Sequence, residues 1–256
     1  MKKLARILLL AVAAMLLVSA FAACTAPDNR PTLKFGTNAE FAPFEFVPGG
    51  KGVIGEFDGI DIAIAKQIGD ENGYKAEIVN MGFDSLILAL ENGQVDAVIA
   101  GMTITPEKEE EVDFSIPYFN ATQVMIVRED STIAKAEDMK GQRIAVIQGY
   151  TGQTAVDKLG EGYSYEAFKN GPDAMLELKN NKCDVVVIDS ITAYKYVAET
   201  DGLKIVVDNN AFEGEQYGIA VKEGNTELLN KINASLQKML DDGTIDRLAA
   251  QYAEEE

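Results

Sequence analysis

The chain has 256 residues, with 23 lysines and arginines against 41 aspartates and glutamates, for a formal net charge of −18. No histidine and only two cysteines exclude Ser-His-Asp triads, His-bearing zinc sites, HExxH helices, thiolate zinc clusters and a disulfide framework. So acidic a body repels nucleic acid and anionic membrane surfaces, so neither is expected as its partner, while 47% apolar and 25% charged residues are those of ordinary globular material.

The cationic residues Lys2, Lys3 and Arg6 precede twelve uncharged apolar residues, Ile7 to Val18. As helix these rise about 18 Å, short of the ~30 Å hydrocarbon core, so residues 1–23 read as a secretory signal peptide rather than an anchor. Small residues follow at Ser19, Ala20, Ala22 and Ala23, and Phe21-Ala22-Ala23-Cys24 resembles a bacterial lipoprotein box, with Phe21 where that box usually has Leu. By this resemblance Cys24 is lipidated and becomes the first mature residue, leaving Cys183 as the other thiol. Residues 24–31 then form a tether.

The body alternates short apolar strands with amphipathic helices. Strands are expected at Leu33–Thr37, Ala76–Val79, Val95–Ala100, Val124–Val127, Ile144–Ile147, Cys183–Ile188, Lys204–Val207 and Tyr217–Val221. Between them fall helices at Ile60–Asp70, Phe83–Glu91, Gln153–Leu159, Asp173–Asn180 and Ile191–Glu199, with Glu227–Leu240 closing the chain. Ile60, Ile64 and Ile68 share one face at i, i+4, i+8, and Asn92-Gly93 stops the Phe83 helix. This alternation predicts an α/β protein of two lobes with ligand at the carboxyl ends of the strands.

Those strand ends are rich in small and hydroxylated residues. They read Thr37-Asn38-Ala39-Glu40-Phe41, Ala100-Gly101-Met102-Thr103-Ile104-Thr105-Pro106, Gln148-Gly149-Tyr150-Thr151-Gly152 and Asp189-Ser190. Turn chemistry alone explains any one of them; four together point to a crevice. No nucleophile elbow, Walker A motif or dinucleotide fingerprint is present, so no catalytic residue, metal or cofactor is assigned.

Further runs are Gly55-Glu56-Phe57-Asp58-Gly59-Ile60-Asp61, Asp113-Phe114-Ser115-Ile116-Pro117-Tyr118 and Gln216-Tyr217-Gly218-Ile219-Ala220. Together with Gly36 to Phe46, Ala100 to Thr105 and Thr151-Gly152, their order and spacing resemble the extracytoplasmic amino-acid-binding proteins of ABC importers, the polar amino acid family. The resemblance covers essentially residues 32–252. It implies a two-lobed periplasmic-binding-protein fold (type II), each lobe a mostly parallel sheet flanked by helices, joined by a two-segment hinge. Lobe 1 is then 32–117 plus 218–256, lobe 2 is 123–214, and the hinge segments are 118–122 and 215–217. The implied partners are a small-molecule amino acid, the membrane permease subunits of the importer and the membrane itself through Cys24, with the protein monomeric.

The resemblance also implies a site. Asp189 meets the ligand ammonium, completed by the Ala100 carbonyl and the Thr103 hydroxyl; capping of the helix at Ser190 is the other use open to Asp189. Thr103, Thr151 and Gly152, at the mouth of a helix, receive the carboxylate. The family's Thr-x-x-Glu-Arg reads Thr105-Pro106-Glu107-Lys108 here, so Lys108 stands where a two-pronged arginine would. Lys108 also begins a charged run, so a solvated helix face is its alternative. Phe41 and Phe83 wall the side-chain pocket or simply pack the core, with Gly101 at the same strand end as Ala100. Asn38, Glu40, Gln123, Gln148 and Asp189 set specificity, and Glu40 is the nearby acid for a cationic side chain unless it faces solvent.

Basic or polar amino acids are expected, with glutamate and aspartate disfavoured for want of a second cation. The competing class is an enzyme on the same fold, a dehydratase acting on cyclic dicarboxylates, or a binder of another small amine or carboxylate because lysine replaces arginine. A third is a sensory lobe of a receptor.

Overall fold

The computed structural model describes residues 28–254. The expected signal peptide and Cys24 lie outside the described residues. β1 (Thr32–Thr37) leads through the hairpin β2 (Glu40–Phe41) and β3 (Glu45–Phe46) to α1 (Ile60–Glu71) and β4 (Lys75–Asn80). A 3-10 turn (Phe83–Ser85) precedes α2 (Leu86–Glu91), followed by β5 (Ala97–Val98), α3 (Pro106–Glu109) and β6 (Val112–Phe114). β7 (Phe119–Arg128) then crosses away, and a second 3-10 turn (Ala136–Met139) leads to β8 (Ile144–Ile147), α4 (Thr151–Lys158), β9 (Tyr165–Phe168) and α5 (Gly171–Lys179). β10 (Val185–Asp189), α6 (Ser190–Glu199) and β11 (Leu203–Val206) follow. β12 (Gly214–Tyr217) returns to β13 (Ala220–Lys222), α7 (Thr226–Asp241) and α8 (Thr244–Glu254).

Two sheets define two lobes. The first has the order β4-β1-β5-β13-β6 and the second β11-β7-β10-β8-β9, with β12 paired to β7. Both are mixed rather than mostly parallel. β1 pairs in parallel with β4 and β5, but β13 is antiparallel to β5 and β6. In the second sheet β8 is parallel to β9 and β10, while β7 is antiparallel to β10 and β11. The cause is the crossing: a chain that leaves a lobe and comes back enters against the direction its helix-linked strands run.

Local chemistry explains the elements. Ile60, Ile64 and Ile68 are all fully buried, so the i, i+4, i+8 stripe of α1 faces the core, where α7 and α8 pack on it. Asn225 caps α7 through the Leu228 N–H, and Gly243, at φ 70°, ends that run before a second helix, α8, which lies beyond the closing helix expected at Glu227–Leu240. Asn170 caps α5 through the Asp173 N–H at 2.9 Å, with Pro172 in the first turn.

Several bounds differ from expectation. The Val95 strand shortens to Ala97–Val98, although Asp96 and Ile99 still donate N–H bonds to the Lys34 and Gly36 carbonyls. The Val124 strand grows to ten residues because its start pairs with β12 before its end enters the second sheet. The single strand expected over 217–221 splits at Gly218, since its two halves belong to different sheets. A Cβ on Gly218 would lie 2.8 Å from Ile104 Cδ1, so glycine is what lets the chain pass there. The hairpin β2–β3 and the strands β6 and β9 were not foreseen; they are short and only partly buried. No helix among the described residues is long and apolar enough to cross a membrane.

Candidate functional site

The carboxyl ends of β1, β5, β8 and β10 face one cleft between the sheets, as parallel strand ends do in α/β folds. A narrow pocket there leaves about 10 Å³ of free volume, the room of a single water molecule. Its first-lobe wall is Phe41, Phe83, Ala100, Gly101, Thr103 and Lys108, and its second-lobe wall is Tyr150, Thr151 and Asp189. Among the described residues no group of three or more His, Cys, Asp or Glu could hold a metal ion.

Asp189 ends β10 immediately before α6. It occupies the cap position, yet its side chain makes no capping bond. Instead its Oδ1 accepts the Tyr217 hydroxyl at 2.6 Å. Capping is therefore not what this carboxylate does. Burial pushes the Asp189 pKa well above the usual carboxylate range, with the charge of Glu215 adding to the effect and the Tyr217 bond opposing it. The Tyr217 phenol is raised in turn, by burial first and then by Asp189.

Opposite lie the hydroxyls. Thr103 follows β5 and Thr151 opens α4, and their Oγ1 atoms stand 3.5 Å apart across the cleft. Both donate to one acceptor, Glu215 Oε2, at 2.9 Å from Thr103 and 2.7 Å from Thr151. Gln123, 1% exposed, adds its Nε2 at 3.3 Å to the same oxygen and at 3.1 Å to Thr151 Oγ1, while its buried Oε1 has no hydrogen-bond partner. Gly152 is buried against this group. A Cβ there would meet the Val187 carbonyl at 2.7 Å and Gln123 Oε1 at 2.9 Å.

Lys108 sits in a turn capped by Thr105, with Pro106 at its start. Its Nζ donates to the Thr103 main-chain carbonyl at 3.0 Å. Glu109, Glu110 and Glu111 are exposed, so only Lys108 of that run turns inward and a solvated face does not describe it. Burial lowers its pKa, against the upward pull of Glu215 and Asp189.

The aromatic wall is built around Tyr150. Its ring lies edge-on to Phe41 at 5.3 Å and tilted against Phe83 at 4.7 Å, and its hydroxyl donates to Asn38 Oδ1 at 3.0 Å. Phe41 also stacks on Phe44 at 5.6 Å, so it is pocket wall and core at once. Gly101, at φ 52°, permits this: a Cβ would stand 2.6 Å from Phe41 Cε1. The Gly101 N–H donates to Asp61 Oδ2 at 2.8 Å, and the Tyr118 hydroxyl donates to the same carboxylate at 2.9 Å. Burial nevertheless raises Asp61 to about 7. Glu45, fully buried beside it, is raised well above the carboxylate range by desolvation and then by the Asp61 charge.

Of the sequence candidates, Phe41, Phe83, Ala100, Gly101, Thr103, Lys108, Thr151 and Asp189 thus share one pocket. Asn38, Gln123 and Gly152 are buried behind its wall. Glu40 and Gln148 are exposed and outside the wall, Gln148 Nε2 reaching Asp84 Oδ2 at 3.4 Å. Sequence reasoning missed Tyr150, Glu215 and Tyr217 as site residues. The signal for the last two was strand alternation, because residues i and i+2 of β12 point to one face.

A family model described as bacterial extracellular solute-binding proteins, family 3, matches residues 33–255. The chain is 32% identical over 253 residues to the arginine-binding extracellular protein ArtP of Bacillus subtilis (strain 168), covering 96% of each. Among solved structures, an ancestral arginine-binding protein bound to glutamine is 43% identical with a TM-score of 0.81, over 88% of this chain and 99% of that one. The ancestral amino acid-binding protein AncCDT-1, a precursor of cyclohexadienyl dehydratase, is 35% identical with a TM-score of 0.80, over 87% and 96%.

Proposed function

The chain belongs to the bacterial extracellular solute-binding proteins, family 3, and from that footing we propose that it captures a basic or polar L-amino acid between its lobes and delivers it to the membrane permease of an ABC importer. The observation that carries this is the pairing of opposites in one pocket. Asp189 supplies a buried carboxylate for an ammonium, and Thr103 and Thr151 supply converging hydroxyls for a carboxylate. An α-amino acid carries both groups on one carbon, and a dry cleft must match each because an unpaired buried charge costs several kcal/mol.

In this reading Thr151 and Gly152 offer backbone N–H groups at the start of α4, and Lys108 adds positive charge near the Thr103 end. Phe41 and Phe83 receive the ligand side chain, whose cation their faces attract. The arginine named for the relative and the glutamine bound by the ancestral protein agree with a basic or polar ligand. Lobe 1 is 32–117 plus 218–256, lobe 2 is 123–214, and segments 118–122 and 215–217 bend when ligand shifts the protein to its closed form. The protein works outside the cytoplasm, held to the membrane by lipid on Cys24, as a monomer that binds without turnover.

The test is thermal unfolding of residues 25–256 against each of the twenty amino acids, ornithine and cystine. A ligand at ~100 times its Kd stabilises the fold by about 2.7 kcal/mol, a shift of several degrees. Arginine, lysine, histidine or glutamine is expected to give it, and Asp189→Ala to remove it. A folded protein that no amino acid shifts would overturn the reading, and turnover of a cyclic dicarboxylate would then be assayed.

A further inference from the structure

The group that engages the two cleft hydroxyls belongs to the protein itself. Glu215 lies on β12, the strand that returns from the second lobe, and its Oε2 takes hydrogen bonds from Thr151, Thr103 and Gln123 at 2.7, 2.9 and 3.3 Å. Thr103 comes from the first lobe, Thr151 and Gln123 from the second. One carboxylate oxygen thus ties both lobes together through the donors that the amino-acid reading gives to the ligand carboxylate.

Tyr150 repeats the pattern at the other end of the pocket. Its ring packs against Phe41 and Phe83, the two faces otherwise available to a ligand side chain.

We propose that Glu215 is a built-in competitor for the carboxylate subsite: an amino acid binds by displacing it, whereas an amine without a carboxylate binds with Glu215 left in place as its counter-anion. This rests on the amino-acid reading of the pocket and adds the residue that sets which charge pattern the pocket accepts. Two anions cannot share the three donors, since like charges at contact distance repel strongly even in a partly polar site. Exchange is feasible because Glu215 is only half-buried, so its side chain can rotate to water. The hydroxyls keep an acceptor before and after. With Glu215 in place the pocket holds two carboxylates, Asp189 and Glu215, against the one ammonium of Lys108, and that surplus suits an amine.

Calorimetric titration of the full chain, Glu215→Gln, Glu215→Ala and Asp189→Asn with L-glutamine, L-arginine and agmatine tests this. Agmatine is arginine without its carboxylate, and L-glutamine has no side-chain charge, so the pair isolates the exchange. Relative to the parent, Glu215→Gln is expected to bind L-glutamine at least tenfold more tightly and agmatine at least tenfold more weakly. Glu215→Ala should act in the same direction, and the glutamine variant keeps the shape should alanine fail to fold. Unchanged or weaker L-glutamine binding in Glu215→Gln, with binding by the parent intact and lost in Asp189→Asn, overturns the competitor role and leaves the amino-acid reading standing. Absence of amino-acid binding in the parent and in both Glu215 variants overturns both.

Discussion

Tyr217 donates its hydroxyl to Asp189 across 2.6 Å, so the strand that returns between the lobes holds the carboxylate at the end of β10. Neither group has water to fall back on, because both are buried. Removing the donor should therefore be felt twice. Tyr217→Phe is expected to cost the fold about 1–3 kcal/mol and to weaken amino-acid binding roughly tenfold, whereas Asp189→Asn should weaken binding at least a hundredfold, to about 3 kcal/mol or more. Urea titration and calorimetry on the two variants check this pair of numbers.

Asp189 also makes binding depend on pH. Its pKa is raised by burial and by Glu215, so at weakly acidic pH part of the population carries the proton. A ligand ammonium favours the ionised form, so binding releases protons, and affinity falls as pH drops below the raised pKa. Calorimetry at about pH 6 in buffers of different ionisation enthalpy should show proton release on binding, and that release should vanish by about pH 9, where Asp189 is already ionised.

The fold should lose stability as pH rises through neutrality. Asp61 is raised to about 7 and Glu45 is raised well above the usual carboxylate range, both chiefly by burial. A raised acid contributes stability fully present below its unfolded value, near 4, and lost as pH climbs through its folded value. Urea midpoints should fall between about pH 5 and pH 8. Glu45→Gln, which cannot ionise, should flatten that slope and exceed the parent at the alkaline end.

Gly101→Ala should damage fold and site together. Its φ of 52° disfavours a side chain, and the new Cβ would stand 2.6 Å from Phe41 Cε1. A loss of about 1–3 kcal/mol in urea unfolding is expected, with weakened amino-acid binding because the Phe41 ring is pushed from the pocket wall.

Lys108 supplies the last test. Its ammonium bonds the Thr103 carbonyl, so it holds the hydroxyl-bearing loop as well as adding charge. Lys108→Met should weaken amino-acid binding about tenfold, and Lys108→Arg should restore or tighten it, since a guanidinium can hold the carbonyl and a carboxylate at once. Equal affinities for the parent and both variants would leave Lys108 with no part in binding.

What could be read from the chain alone divides along physical lines. The stripe Ile60, Ile64, Ile68 was legible from its helical period, and the strand at Ile144–Ile147 from an unbroken apolar run buried on both faces. The pocket group Thr103, Thr151 and Asp189 was legible because it sits at strand ends, where short loops fix position. The mixed sheets were not, since pairing direction depends on where the chain crosses between lobes, and periodicity carries no record of that. Glu215 and Tyr150 were missed for a related reason. Their partners, Thr103 for Glu215 and Asn38 for Tyr150, lie more than a hundred residues away in sequence, so nothing local marks either side chain as turned into the pocket.

The ten-residue β7 is anchored unevenly. From Met125 to Val127 it has partners on both sides in the second sheet, but Phe119 to Thr122 faces only β12, over four residue pairs. A two-stranded ribbon resists torsion far less than a sheet of five, so mechanical compliance is concentrated in those four pairs. Stiffening substitutions at Asn120 or Thr122, on the β7 side of the ribbon, should therefore change how fast ligand enters and leaves, with the pocket residues Glu215 and Tyr217 of β12 kept in place.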